Sequence, residues 1–174
     1  MNSASDGLTT TQKGSITEYA VATALMLGSS GRLSAFTPLA DDHGIDLVVF
    51  DKQTGTMLPV QVKSWTKAPS RRGTVQFDVQ KTTYSDGSTS VLIAVLFDPA
   101  EASIRMSWLL SLSDVPSVSV SRAGKYALTP SVRPGSSDRY KAFRHDSVQS
   151  MVGAVIDHVE GRQGPQLRAA AEGE

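Results

Sequence analysis

The sequence predicts an α/β domain built on one mixed β-sheet flanked by helices, and three observations point there. Apolar residues recur at helical spacing near both ends of the chain, over 15–27 and 147–160. Short runs rich in Val, Ile and Leu fill the space between. One of these runs, residues 91–97, is continuously apolar, as a central strand covered on both faces must be.

The first helix is expected to start at Ser15 and to end near Leu27, where Gly28-Ser29-Ser30-Gly31 stops it. Ile16, Tyr19, Ala20, Val21, Leu25 and Leu27 make up its predicted buried stripe. Strands follow over 32–36, 45–50 and 58–64, and the alternation of Val75, Phe77 and Val79 marks a further short one. Ile104, Met106, Trp108 and Leu110 alternate with other residues and predict a neighbour for the 91–97 strand. Val118 and Val120, then Tyr126 and Leu128, flank Ala123-Gly124 as a hairpin. The closing helix carries Val148, Met151, Val152, Val155, Ile156 and Val159 at helical spacing, with Gly161 as its stop. The Ser/Thr/Gly-rich residues 1–13 and the tail 161–174 are expected to be disordered, which leaves 14–160 as a single domain.

Composition narrows the function classes. Of 174 residues, 40% are hydrophobic but only 6% aromatic, so the core should be aliphatic. The 17 basic and 17 acidic residues cancel, which argues against a generally basic nucleic-acid coat. Two segments are locally basic all the same: Lys63, Lys67, Arg71, Arg72 and Lys81 stand against Asp78 alone, and residues 122–144 carry six bases against Asp138. These bases either present a positive face to phosphates or form solvated loops. The lack of Cys excludes disulfides and thiolate metal sites. No basic-then-apolar leader and no membrane-length apolar run is visible, so a soluble cytoplasmic protein with no membrane partner is expected.

Three polar residues break into the strands where hydrocarbon is expected. Asp46 interrupts Gly44-Ile45-Asp46-Leu47-Val48-Val49-Phe50, and Gln61 and Lys63 interrupt Leu58-Pro59-Val60-Gln61-Val62-Lys63-Ser64. Burying a carboxylate or an ammonium is costly unless it is paired or binds a metal. The polar stretch 51–56 holds a Gly and joins the two runs as a hairpin. If its loop is 52–55, with Asp51 facing Thr56, antiparallel pairing sets Asp46 directly opposite Gln61. Gln61 and Lys63 then share one face of their strand, because side chains alternate with a period of two. A carboxylate, an amide oxygen and an ammonium converge on one spot.

This arrangement resembles the PD-(D/E)XK nuclease superfamily, whose core hairpin carries an Asp on one strand and a Glu/Gln-x-Lys on the next. The matching residues are Asp46 and Gln61-Val62-Lys63, and Glu18 in Gly14-Ser15-Ile16-Thr17-Glu18-Tyr19-Ala20-Val21 occupies the place of the further Glu on the preceding helix. The form is similar to small intron-encoded endonucleases and Holliday junction resolvase-like members. It covers residues 14–65 well, and the 91–97 strand with Trp108 more loosely. Ile45 replaces the proline before the Asp, and Gln61 replaces the acid of the last motif, so the site has one negative charge fewer.

The resemblance implies a restriction-endonuclease-like core in which an N-terminal helix precedes the hairpin that carries the site. It implies a Mg²⁺-dependent (or Mn²⁺-dependent) endonuclease that hydrolyses DNA phosphodiester bonds as a homodimer or higher homo-oligomer. Asp46 would bind the metal directly, with the Gln61 amide oxygen and the Val62 backbone carbonyl, and Glu18 would hold its outer waters. Lys63 would orient the attacking water or stabilise negative charge in the transition state. Lys67, Arg71, Arg72 and Lys81 are the candidate contacts to DNA. The alternative is a catalytically inactive DNA-binding or assembly module that keeps the fold.

Plainer readings stand beside these. Ser15-Ile16-Thr17-Glu18 matches a capping box in which Glu18 reaches back to the helix start. Asp46 and Lys63 are also readable as a structural ion pair. His43, His145 and His158 have no metal-ligand spacing, and Asp41 and Asp42 belong most simply to a loop. Trp65 and Trp108 read as packing residues.

Overall fold

The computed structural model describes residues 7–40, 44–83 and 89–161. Helix α1 spans Thr10–Gly28, followed by strands β1 (Leu33–Phe36), β2 (Leu47–Asp51), β3 (Met57–Trp65) and β4 (Phe77–Gln80). Strands β5 (Val91–Asp98) and β6 (Ser103–Ser111) lead into the short helix α2 (Val115–Val118). Then come β7 (Val120–Arg122), β8 (Lys125–Leu128), β9 (Arg144–His145) and helix α3 (Val148–Val159). Six strands form one sheet in the order β1-β2-β3-β5-β6-β9, and β4, β8 and β7 form a second, three-stranded sheet. The large sheet is mixed: β3 and β5 run parallel, and its other pairs are antiparallel.

Strand β5 shows why the centre of the chain reads as unbroken hydrocarbon. Val91, Ile93, Val95 and Phe97 join α1 and α3 in one apolar cluster. Leu92 and Ala94 face the other way and join Phe77, Trp108, Leu128 and Phe143 in a second. The large sheet is therefore a middle layer, with both long helices on one face and the small sheet with α2 on the other. Phe77 and Trp108 meet in a tilted contact, ring centroids 5.6 Å apart, within the second cluster. No helix among the described residues is long and apolar enough to cross a membrane.

Several expected boundaries move. α1 begins at Thr10 rather than Ser15, so residues 10–13 are helical and not part of a disordered tail. The true capping box is Thr9 with Gln12: the Gln12 N–H donates to Thr9 Oγ1 at 3.2 Å, and the Thr9 N–H donates to Gln12 Oε1 at 2.9 Å. The buried face of α1 is Thr17, Val21, Ala22 and Leu25, whereas Tyr19 is 64% exposed, Leu27 is 75% exposed and Ile16 is also exposed. Thr17 fits among apolar neighbours because its hydroxyl donates to the Lys13 carbonyl at 2.8 Å. The hairpin β7–β8 forms around Ala123-Gly124 as expected, but Val118 ends α2 instead of entering the strand.

Candidate active site

The β2–β3 hairpin has the register that its loop length dictates. Gly55 turns the chain at φ 71°, its N–H donating to the Asp51 carbonyl at 2.8 Å, and the Asp51 N–H donates to the Thr56 carbonyl at 2.9 Å. Phe50 pairs with Met57 and Leu47 with Val60, where the paired register ends, so the expected pairing of Asp46 with Gln61 is not part of the ladder. Asp46 lies just before β2, where the ladder between the two strands ends. The Asp46 N–H still donates to the Val60 carbonyl at 2.9 Å. Its carboxylate then substitutes for the next ladder carbonyl: the Val62 N–H donates to Asp46 Oδ2 at 2.6 Å. A charge-assisted bond of this kind fixes the carboxylate against the edge of β3. On a regular strand a residue's N–H and C=O point to the same side. The Val62 carbonyl is thus directed at the edge where the Asp46 carboxylate sits.

Gln61 lies inside. Leu58, Val60 and Val62 face the helical layer, which turns Gln61 and Lys63 to the opposite face with Trp65. Gln61 is 2% exposed, and its Oε1 meets no hydrogen-bond partner among the described residues. An unpartnered buried carbonyl costs about 1–3 kcal/mol, so such a group is rare unless something binds it. Its Nε2 rests against Gly44, which takes φ 67°. A Cβ there would run into Nε2 and come within 3.0 Å of Thr83 Cβ. Gly44 and Thr83 are walls of the amide's pocket that sequence reasoning did not pick out, although a Gly two residues before the Asp was the available signal. Lys63 is partly buried and makes no hydrogen bond or ion pair among the described residues.

Glu18 is not a capping residue. It sits in the interior of α1, partly buried beside Thr17, with Oε1 3.7 Å from where a Cβ on Gly14 would stand. α1 packs against β1 and β3, so Glu18 belongs to the helical layer over the hairpin. The structure thus joins Asp46 to the backbone of β3 at Val60 and Val62, sets Gln61 and Lys63 on the face of β3 turned away from the helices, and leaves Glu18 in the helical layer on the other face. Among the described residues no group of three or more His, Asp or Glu side chains is arranged to hold a metal.

The ion pair of this hairpin is at its other end. Asp51 is 0% exposed and takes both Arg32 Nε at 2.8 Å and Arg32 Nη2 at 2.7 Å. Arg32 also reaches Glu160 at 2.7 Å, tying β1 and β2 to the end of α3. The Arg32 guanidinium holds the Asp51 carboxyl far below the usual carboxylate range, against the opposing effect of burial. A salt bridge between Asp46 and Lys63, the plainer reading of those residues, is not formed.

The basic candidates divide in two. Lys67, Arg71 and Arg72 are exposed on the loop after β3, where Arg133 donates to the Arg71 carbonyl at 3.5 Å. Lys81 is already engaged: its Nζ donates to Ser121 Oγ at 2.8 Å and lies 5.2 Å from the centre of the Tyr126 ring. It is two residues from Thr83, the wall of the Gln61 pocket. Asp41, Asp42 and His43 lie outside the described residues. Burial pushes the His145 and His158 imidazoles below their usual range, with Asp146 and Asp114 respectively opposing the shift. His145 is on the far edge strand β9, well away from β3 in the sheet order.

No protein-family model and no curated protein sequence matches the chain. Among solved structures it is similar to a bacterial homing endonuclease, I-Ssp6803I, with a TM-score of 0.56 and 20% sequence identity over 88% of this chain and 96% of that one. What the two share at that identity is the fold, across nearly the whole of both chains.

Proposed function

We propose that this chain is a Mg²⁺-dependent endonuclease of the PD-(D/E)XK type that hydrolyses phosphodiester bonds in DNA. The observation that carries the reading is the Gln61 amide oxygen, buried with no hydrogen-bond partner among the described residues, on the strand next to the Asp46 carboxylate that the Val62 N–H holds. A hard divalent cation takes oxygen ligands of this kind, and Gln61 Oε1, Asp46 and the Val62 carbonyl fit such an ion as a set. When bound, the cation supplies Lewis-acid polarisation of the phosphate and a more acidic water.

The rest falls to the chain's own residues. Asp46 contributes the anionic ligand, with its rotamer held by the Val62 N–H. Glu18, carried by α1 in the helical layer, would hold outer waters of the ion. Lys63, without a hydrogen bond or ion pair among the described residues, brings a positive charge to the phosphate, where it stabilises the charge developing at the transition state or orients the attacking water. Lys67, Arg71, Arg72 and Lys81 bind the DNA backbone. Cutting both strands of a duplex calls for two such sites, so the reading includes a homodimer or larger homo-oligomer. The shared fold with a homing endonuclease supports the same class of substrate.

One observation favours a second reading. With Gln61 in place of an acid, Asp46 is the one carboxylate that the described residues place on the hairpin edge, as expected of a DNA-binding or assembly module that has lost catalysis. Plasmid cleavage with Mg²⁺ or Mn²⁺ separates the two. The nuclease reading requires cleavage by the wild type and its loss in Asp46→Ala and Lys63→Ala. Equal cleavage by all three marks a contaminant, and DNA binding without cleavage by the wild type establishes the second reading.

A further inference from the structure

We infer that a cleft at the carboxyl ends of β3 and β5 holds one nucleotide of the DNA strand, its phosphate at Lys67 and its base on an apolar floor. The choice of DNA as the source of that nucleotide rests on the nuclease reading. The cleft itself rests on geometry. β3 and β5 are the parallel pair of the sheet, and open sheets bind ligands just beyond the carboxyl ends of parallel strands. The cavity there measures about 500 Å³. Pockets of about 300–1,000 Å³ are the range for small organic ligands.

The chemistry of the lining selects the ligand. Leu96, Met106 and Val132 form the floor and continue the apolar cluster beneath the small sheet. The charged lining residues are Lys67, Asp98 and Arg105. Asp98 is already used: Oδ1 accepts from the Ala100 and Glu101 N–H groups at 3.0 and 3.4 Å, and Oδ2 pairs with Arg105 at 3.4 Å. Arg105 also pairs with Glu101 at 3.3 Å. Lys67 makes no hydrogen bond or ion pair among the described residues. The cleft therefore offers Lys67, a cation without an ion pair among the described residues, beside an apolar lining, which suits an anion attached to a planar, weakly polar body. A nucleotide is such a molecule.

Position connects the cleft to the candidate active site. Gln61, Lys63 and Trp65 form one row on β3, and the row leads to the cleft wall at 66–69. The Trp65 indole N–H donates to the Ala68 carbonyl at 3.4 Å and so fastens that wall to the strand. Lys67 is two residues beyond the end of β3, so it stands no more than about 13 Å from Lys63 along the chain. A strand whose scissile phosphate lies at Lys63 can thus place a neighbouring nucleotide, unstacked, in the cleft.

The test is a titration of the full chain with deoxyadenosine 5′-monophosphate, followed by tryptophan fluorescence, with inorganic phosphate, deoxyadenosine and decanoate as comparisons. The nucleotide should bind about tenfold or more tighter than phosphate or deoxyadenosine alone. Lys67→Ala should reduce its affinity to that of deoxyadenosine, Met106→Trp should abolish binding by filling the floor, and Met106→Leu should keep it. Binding no tighter than that of phosphate, binding indifferent to Lys67→Ala and Met106→Trp, or preference for decanoate overturns the inference. Plasmid cleavage without nucleotide binding removes the cleft and leaves the nuclease reading standing. Nucleotide binding without cleavage does the reverse.

Discussion

Replacing Gly44 with Ala probes the pocket of Gln61 without touching any proposed ligand. Two costs are expected. Gly44 takes φ 67°, where a Cβ is disfavoured by about 1–2 kcal/mol. The new methyl also meets Gln61 Nε2 and lies 3.0 Å from Thr83 Cβ, so the amide must move. Because Gln61 is 2% exposed, it has little space to move into, and overpacking of this kind adds about 1–3 kcal/mol. Gly55→Ala supplies the control: it has the same left-handed strain at φ 71°, but nothing lies within 4 Å of its Cβ. Thermal melts should therefore show Gly44→Ala to be less stable than Gly55→Ala by about the overpacking term alone. Cleavage measured at a temperature where both variants are folded should fall about 100-fold in kcat for Gly44→Ala, the usual consequence of a 1 Å misplacement at an active site, and stay unchanged for Gly55→Ala. Equal stability and equal kcat for the two variants would refute the placement of the Gln61 amide.

Other consequences follow from the hydrogen bonds around the hairpin. Asp46→Ala leaves the Val62 N–H without its acceptor and should cost about 1–3 kcal/mol in urea unfolding, whereas Asp46→Asn keeps an oxygen there and should cost less than half as much. Gln61→Glu adds a second carboxylate, and calorimetric titration should show it binding Mg²⁺ at least about tenfold more tightly than wild type. Arg32→Met strands the buried Asp51 carboxylate and should lower stability by about 3–5 kcal/mol. Stability against pH should follow the shifted groups. Asp51 has a lowered folded pKa, so its contribution is complete above the unfolded value of about 4 and is lost as pH falls below it. His145 and His158, lowered by burial, likewise favour the folded state at higher pH and lose that contribution as pH drops below about 6.5. Melts between pH 8 and 3 in the wild type and Asp51→Asn would measure both.

What was legible in the sequence was whatever depends on local spacing. The six residues from Asp51 to Thr56 set the hairpin register from Phe50 with Met57 to Leu47 with Val60, but the turn of the Asp46 N–H toward the Val60 carbonyl just before the strand lies beyond what loop length dictates. The unbroken run in β5 announced a strand buried on both faces. The start of α1 was misread because Ser15 and Glu18 imitate a capping box, while the real one uses Thr9 and Gln12, in a stretch whose composition suggests disorder. Helical spacing also named Tyr19 and Leu27 as core, although the inward face is set by how α1 packs on β1 and β3. The Arg32–Asp51–Glu160 network was out of reach, since it joins residues 19 and 128 positions apart. At the site itself, the residue types were visible in the sequence. The capture of the Val62 N–H by Asp46 and the orphaned Gln61 oxygen were not, because both arise where β2 stops and β3 continues.

Calorimetric titration of the wild type and Asp46→Ala with Mn²⁺ bears most directly on whether this hairpin edge holds a divalent cation. One Mn²⁺ per chain should bind the wild type, with binding lost in Asp46→Ala and weakened in Gln61→Leu. Failure of the wild type to bind Mn²⁺, or binding that both substitutions leave unchanged, would contradict the account.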